Sequence, residues 1–359
     1  MITLSLCMIV KNEEAVLARC LSSVKEVMDE IIIVDTGSQD STVEIARQFT
    51  DKVYSFPWVD DFSAARNFSF SKAAMQYLFW MDADDILLPQ DRENLFSLKE
   101  TLDPSIDLVM MKYHVAFDGQ GNPVFSYYRE RMLRRAKQYR WQGAIHEAIT
   151  PEGNILYSEI ALTHRKIGAG DPDRNLRIFE KMIKEGKKLV PRENYYYGRE
   201  LYYHGQYQQA AYILSRYLDT PGGWIENQIT ACQDLANCYY HLGKPQQALD
   251  SLLRSFSFDT PRAEICCDIG KHFFQQEKYA QAAFWYETAA KRPKEERNGG
   301  FIQPDCYGYL PYLQLCLCYY RLGDLSLAKE YNEKAAQCKP ADPAVIYNRN
   351  FFSSLDLEK

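Results

Sequence analysis

Short apolar runs punctuate the first half of the chain: "TLSLCMIV" from Thr3, "EIIIVDT" from Glu30, "KVYSFPW" from Lys52 and "YLFWMD" from Tyr77. Between them apolar residues recur every three to four positions, as from about Glu14 to Val24, the spacing of a helix face. Strands that are apolar at nearly every position are buried on both faces, so the alternation predicts an α/β, Rossmann-like domain. After "DTGSQ", Ser41 and Glu44 in "STVE" have the spacing of a capping box, and Val43, Ile45, Ala46 and Phe49 supply the apolar face that follows. Ligands of open α/β sheets bind beyond the carboxyl ends of the strands. Three polar clusters, "KNEE", "DTGSQD" and "DADD", each follow a predicted strand, and all should meet on one edge.

From about Asp171 the pattern changes to helices only. Asp171 and Pro172 read as a cap and first helical residue, followed by Leu176, Phe179 and Ile183 at helical spacing. "LYYHGQYQQA", "YYHLGKPQQA", "FFQQEKYAQA" and "YYRLGDLSLA" then repeat aromatic residues, a turn position (Gly205, Gly243, Glu277, Gly323) and an alanine five residues later (Ala210, Ala248, Ala282, Ala328). The period, roughly 34 residues or more, is that of tetratricopeptide-like helical hairpins, with "RPKEERNGGFIQPD" as an insertion before the last one. The expected organisation is a catalytic domain over 1–167, a connecting helix over 168–194, helical repeats over 195–350 and a tail over 351–359. The tyrosines of the repeats read mainly as core, with some facing a groove.

With 359 residues and 46% apolar content the chain can bury two cores. A net charge of −6 argues against a nucleic-acid partner. The basic run "RERMLRRAKQYR", residues 129–140, reads as a solvated face or an anion-binding segment. No apolar stretch reaches the roughly 18–20 residues of a membrane span, and no leader pattern opens the chain, so a cytoplasmic location is expected. The ten cysteines show no CxxC pair and read as reduced core residues.

"DADD" places Asp82, Asp84 and Asp85 beside apolar residues on both sides. Like charges next to apolar surface repel and lose hydration, and a shared divalent cation resolves both problems. In "DTGSQDST", Asp35 could accept from a base or ribose, and Gly37 lets backbone approach a ligand. "GAGDPD" near residue 168 lacks the third glycine and the strand–turn–helix setting of a dinucleotide site.

"LCMIVKNEEAVLARCLSSV", "EIIIVDTGSQDSTVEIA", "DDFSAARNFS" and "WMDADD", in this order, resemble the inverting family 2 glycosyltransferases. With the repeats, the chain is similar to the bacterial branch that includes the peptide S-glycosyltransferases of glycocin biosynthesis. The resemblance, over roughly residues 1–167, implies a nucleotide-sugar donor, UDP-linked by preference, and a divalent cofactor, manganese or magnesium. It implies that Glu13 and Asp35 hold the nucleoside and that Asp82 and Asp84 form the Asp-X-Asp element, Asp82 toward the donor and Asp84 on the metal. Arg66 in "AARN" is a second cation for the donor. An acidic base is expected after that element, and Glu147 in "RWQGAIHEAI" stands there; the family's usual Glu-Asp pair is here His146–Glu147, so His146 remains a rival base or a metal ligand. His164, at the end of a predicted strand, is a further metal ligand. The expected acceptor is a peptide, protein or glycan, with a homodimer as another use of the repeats. Rival readings are a nucleotidyltransferase, disfavoured because "VKNEEA" lacks a glycine-rich basic loop, and a non-enzymatic repeat scaffold, disfavoured by the intact acidic motifs.

Overall fold

The computed structural model describes residues 1–168 and 170–357, in two compact units, Met1–Lys188 and Leu189–Lys359. The first unit contains β1 (Leu4–Val10), α1 (Leu17–Val24), β2 (Glu30–Asp35), α2 (Thr42–Arg47), β3 (Val53–Ser55), α3 (Phe62–Ser71), β4 (Tyr77–Trp80), β5 (Asp85–Leu87), α4 (Pro89–Thr101), β6 (Leu108–Phe117), β7 (Pro123–Arg134), β8 (Ile155–His164) and α5 (Arg174–Lys184). Its strands form one eight-stranded sheet in the order β3-β2-β1-β4-β7-β6-β8-β5. The four strands read from the apolar runs pair in parallel, and β7 joins β4 antiparallel.

Alternate residues of each central strand go to opposite cores. Leu4, Leu6, Met8, Ile31, Ile33, Tyr77 and Phe79 pack in one, and Cys7, Ile32, Val34, Leu78 and Trp80 in the other. That is why these runs are apolar at every position rather than alternately. The long β6–β7 hairpin has no counterpart in the sequence reading. The first half of the basic run, residues 129–134, closes its second strand, where Arg131 is fully buried, whereas Arg135, Lys137 and Arg140 beyond the strand are exposed. Pairing steps from Val109↔Met132 to Met110↔Glu130, leaving Arg131 as the extra residue of a bulge, a device that re-aims a side chain.

The expected capping box at Ser41 does not form. Asp40 Oδ1 accepts from the Thr42 amide at 3.0 Å, and Glu14 Oε2 from the Ser41 amide at 3.0 Å, so neighbouring carboxylates serve the helix start instead. Likewise Asp173, not Asp171, occupies the cap position of α5; Asp171 accepts from the Asp173 amide and pairs with Arg177.

The second unit is helical: α6 (Pro191–Tyr203), α7 (Tyr207–Asp219), α8 (Ile225–His241), α9 (Pro245–Arg254), α10 (Ala263–Gln275), α11 (Tyr279–Ala290), α12 (Tyr309–Arg321), α13 (Leu325–Cys338) and α14 (Pro343–Leu357). The stretch foreseen as a tail is therefore helical through Leu357, and residues 358 and 359 lie outside the described residues. Each hairpin turns as the repeat requires. Gly205, Gly243, Glu277 and Gly323 have φ of 72°, 70°, 60° and 85°. The next residue's amide returns to the carbonyl five residues back, as in Gln206→Leu201 at 2.9 Å and Lys278→Phe273 at 3.0 Å. This is the left-handed helix stop that favours glycine, and Glu277 takes it without one. Ala210, Ala248, Ala282 and Ala328 are all fully buried. Every cysteine is unpaired and all but Cys338 are buried. Among the described residues no helix is long and apolar enough to cross a membrane.

Gly270 of α10 sets one close helix contact: a Cβ there would lie 2.9 Å from the ring of Tyr286, itself buried on α11. Alanine gains roughly 1 kcal/mol of helix propensity, whereas overpacking costs about 1–3 kcal/mol. Gly270→Ala should therefore lower stability by about 1 kcal/mol in urea unfolding. A more stable variant would show that the helices have room to spare.

Candidate active site

The ends of β1 and β2 lie side by side, with Val10 opposite Asp35. The loops leaving them are stitched together: the Asn12 amide donates to Ser38 Oγ at 2.9 Å, the Gln39 amide to Asn12 Oδ1 at 2.8 Å and the Glu13 amide to Thr42 Oγ1 at 2.7 Å. Asp35 is buried and turns its own loop, accepting from the amides of Gly37 at 3.1 Å and Ser38 at 3.0 Å. Gly37 has φ 105°, a backbone position that favours glycine.

Beyond β4 the acidic loop divides its labour. Asp82 Oδ1 meets Arg66 Nη2 at 2.7 Å, and Arg66 Nε meets Glu147 Oε1 at 2.6 Å. The guanidinium lies 5.0 Å from the ring of Trp80 and 4.8 Å from that of Trp141. Arg66 is aimed by α3, whose start is capped by Asp61 accepting from the Ala64 amide. Burial pushes the Asp82 carboxyl up, but Arg66, Arg131 and Arg129 outweigh it and hold the group at about 2. Asp82 is thus a carboxylate already neutralised by the protein.

Asp84 is not. It forms, with Asp85 and His164, a group whose ligand atoms all lie within 4.8 Å of one another. Burial raises the Asp84 carboxyl, and Asp82 and Asp85 raise it further, against the pull of His164. Burial together with Asp84 and Asp82 pushes Glu13 up to about 7. His164 is raised chiefly by its hydrogen bond to Asp85, against burial. Of the four carboxylates, Asp82 pairs with Arg66 and Asp85 with Arg131, while Arg129 and Lys166 act on Asp82 and Glu13 without pairing; a divalent ion would relieve the crowding at Asp84 and Glu13. An imidazole among carboxylates is a ligand that manganese accepts more readily than magnesium does.

The three polar clusters therefore meet, and Glu13, Arg66, Asp82, Asp84, Glu147 and His164 fall into one connected network. His146 sits differently. Its backbone is left-handed at φ 51°, and its ring stacks on Phe179 of α5 with centroids 6.4 Å apart. It lies in a loop closed by the Gln142–Ala148 pairing. The sequence reading passed over Arg131, Tyr113 and the two tryptophans. Arg131 Nη1 reaches Asp85 Oδ2 at 3.3 Å, and its guanidinium lies 3.8 Å from the Trp80 ring and 4.4 Å from that of Tyr113. The one available signal was an arginine directly before the apolar pair Met132–Leu133 in "RERMLRR"; the bulge that buries Arg131 leaves no mark in sequence.

The model of the glycosyl transferase family 2 matches residues 5–157. A TPR repeat-containing protein of Synechococcus elongatus is 36% identical over 149 residues, covering 42% of this chain and 36% of that protein. The SPbeta prophage-derived glycosyltransferase SunS of Bacillus subtilis is 27% identical over 213 residues, covering 56% of this chain and 49% of that one. The lipopolysaccharide core biosynthesis glycosyltransferase LpsC of Rhizobium meliloti is 28% identical over 192 residues, 51% of this chain and 68% of that one. The matches span about a third to a half of the first two relatives' own length. The strand-end acidic loop thus lies within the stretch, residues 5–157, that matches glycosyl transferase family 2, joined in one chain to tetratricopeptide-like helical hairpins.

Proposed function

We propose that the chain is a metal-dependent, inverting glycosyltransferase that takes a sugar from a nucleoside-diphosphate donor, UDP-linked by preference, and passes it to a side chain of a peptide or protein. The observation that carries this reading is the division of the acidic loop: Asp82 is matched to Arg66, whereas Asp84 stands with His164 short of positive charge. Asp84 and His164 would hold the cation. When bound, it supplies positive charge for the diphosphate as the glycosidic bond breaks, more in the transition state than before it. Arg66, held against two indoles, adds a preorganised cation to the same leaving group. Glu13 and the loop shaped by Asp35 receive the nucleoside. Glu147, tied to the same arginine, takes the acceptor's proton while the acceptor attacks the face opposite the leaving group.

A panel of nucleotide sugars tests the donor without knowledge of the acceptor. Manganese-stimulated release of free nucleotide is expected with one or a few of them, and none with any would refute the reading. Helical repeats of this kind form extended surfaces for peptides, which is the ground for a macromolecular acceptor. A fragment ending at Lys188, the close of the first compact unit, should bind UDP yet fail to modify that acceptor at the full-length rate. Equal rates would make the repeats an assembly surface. The likeness to LpsC favours a glycan acceptor as the second reading.

A further inference from the structure

Behind the acidic loop lies a buried relay that neither the motif nor the family match assigns. Asp85 is fully buried, and both of its oxygens are taken. Oδ2 accepts from the Asp82 amide at 3.2 Å and faces Arg131 Nη1 at 3.3 Å. Oδ1 accepts from the Tyr113 hydroxyl at 2.8 Å. The same hydroxyl lies 2.9 Å from His164 Nδ1, which is itself 3.3 Å from Asp85 Oδ1. A hydroxyl has one proton to give, and that of Tyr113 goes to Asp85. The contact with His164 must then run the other way, with Nδ1–H donating to the tyrosine oxygen. That fixes the neutral ring as the Nδ1–H form and leaves the lone pair on Nε2.

We infer that Tyr113, backed by Asp85 and Arg131, is a positioning residue that presents Nε2 of His164 to the divalent cation. This rests on the metal-dependent reading above and deepens it. Asp85 is then not a ligand, although it lies within reach of Asp84 and His164: it is the outer carboxylate that orients a ligating histidine through the opposite ring nitrogen. Register supports the arrangement, since Asp85 and His164 are direct partners across β5 and β8. Arg131 Nη1 faces Asp85 Oδ2, and its guanidinium packs on the tyrosine ring, so both partners of the relay are held from behind.

The test is manganese binding to the full-length protein in the presence of UDP, followed by calorimetry or electron paramagnetic resonance. Tyr113→Phe removes one oxygen and keeps the ring. It should weaken manganese binding by roughly tenfold or more, the size of effect known for outer partners of metal-bound histidines. In a His164→Ala background the same substitution should add nothing, because its effect passes through His164. A tyrosine that only packs would lower the melting temperature but leave the metal affinity alone, or would carry an undiminished penalty into the double variant; either result overturns the inference. Should Tyr113→Phe fold poorly, nitrogen-15 NMR of the wild-type histidines decides, with His164 assigned by its loss in His164→Ala. Once the pH is high enough to remove the first ring proton, a ring protonated on Nδ1 is expected, and one protonated on Nε2 overturns the proposal. A wild-type protein that takes up no manganese fails at the first titration, which separates failure of the metal reading from failure of the relay.

Discussion

Asp84→Ala is expected to abolish cation-dependent turnover of the donor while leaving the protein folded. The reason lies in what each carboxylate of the loop holds. Asp82 anchors Arg66, and Asp85 serves a backbone amide, Tyr113 and Arg131, so substitution of either would disturb the protein itself. Asp84 contributes to the loop through its backbone, whose carbonyl accepts from the Arg165 amide at 2.8 Å, and alanine keeps that bond. Its side chain faces His164 at 3.5 Å among groups of its own sign. Removing it costs little packing and relieves repulsion, so the metal-free variant should melt at or slightly above the wild-type temperature. A ligand that binds only the folded state at a hundred times its dissociation constant adds about 2.7 kcal/mol of stability. Wild type should therefore gain several degrees from manganese with UDP, and Asp84→Ala should gain no more than UDP alone provides. A variant that keeps the full manganese-dependent gain would remove Asp84 from the metal.

The outline of this site was legible because it depends on chain direction alone. In a parallel sheet each strand's carboxyl end reaches the same edge, so polar clusters placed directly after apolar runs must meet there, as Asn12 and Ser38 do. The repeats were legible for a similar reason: a left-handed turn and a tight helix contact each demand a residue type, and both demands recur at Gly205 and Ala210 and their counterparts. Local rules failed where a partner from elsewhere in the chain intervened. Ser41 has the sequence of a cap, yet Glu14 from the preceding loop takes its amide. Arg131 sits in a charge run that a local reading sends to solvent, yet a bulge against β6 turns it under the acidic loop. Tyr113 looks like one more strand aromatic. Its hydroxyl matters only because β6 and β8 run side by side, bringing His164 to it from the far end of the domain.

Glu147→Gln should reduce transfer to an oxygen acceptor by roughly 10²-fold or more, with little change in affinity for UDP or donor. The substitution is informative because of Arg66, which is shared between Glu147 and Asp82. Glutamine keeps a carbonyl oxygen for Arg66 Nε, and Arg66 keeps its ion pair with Asp82, so the change removes proton acceptance while retaining shape and a hydrogen bond. If Glu147 serves only to anchor the arginine, the result is different. The Arg66 side chain is 10% exposed, and depriving a buried cation of one of its anions destabilises it, so thermal stability and UDP affinity would fall together with turnover. A loss confined to transfer assigns the base; a loss shared with UDP binding assigns an anchor. A thiol acceptor would compress the difference, because cysteine is partly ionised near neutral pH and asks less of a base. The His146 alternative is separable as well. His146→Ala removes the ring stacked on Phe179 and leaves alanine at a left-handed position that histidine tolerates better, so damage there should include lower stability. Only a His146→Ala protein that stays as stable as wild type, binds UDP normally and loses transfer, beside a Glu147→Gln protein that retains it, would move the base to His146.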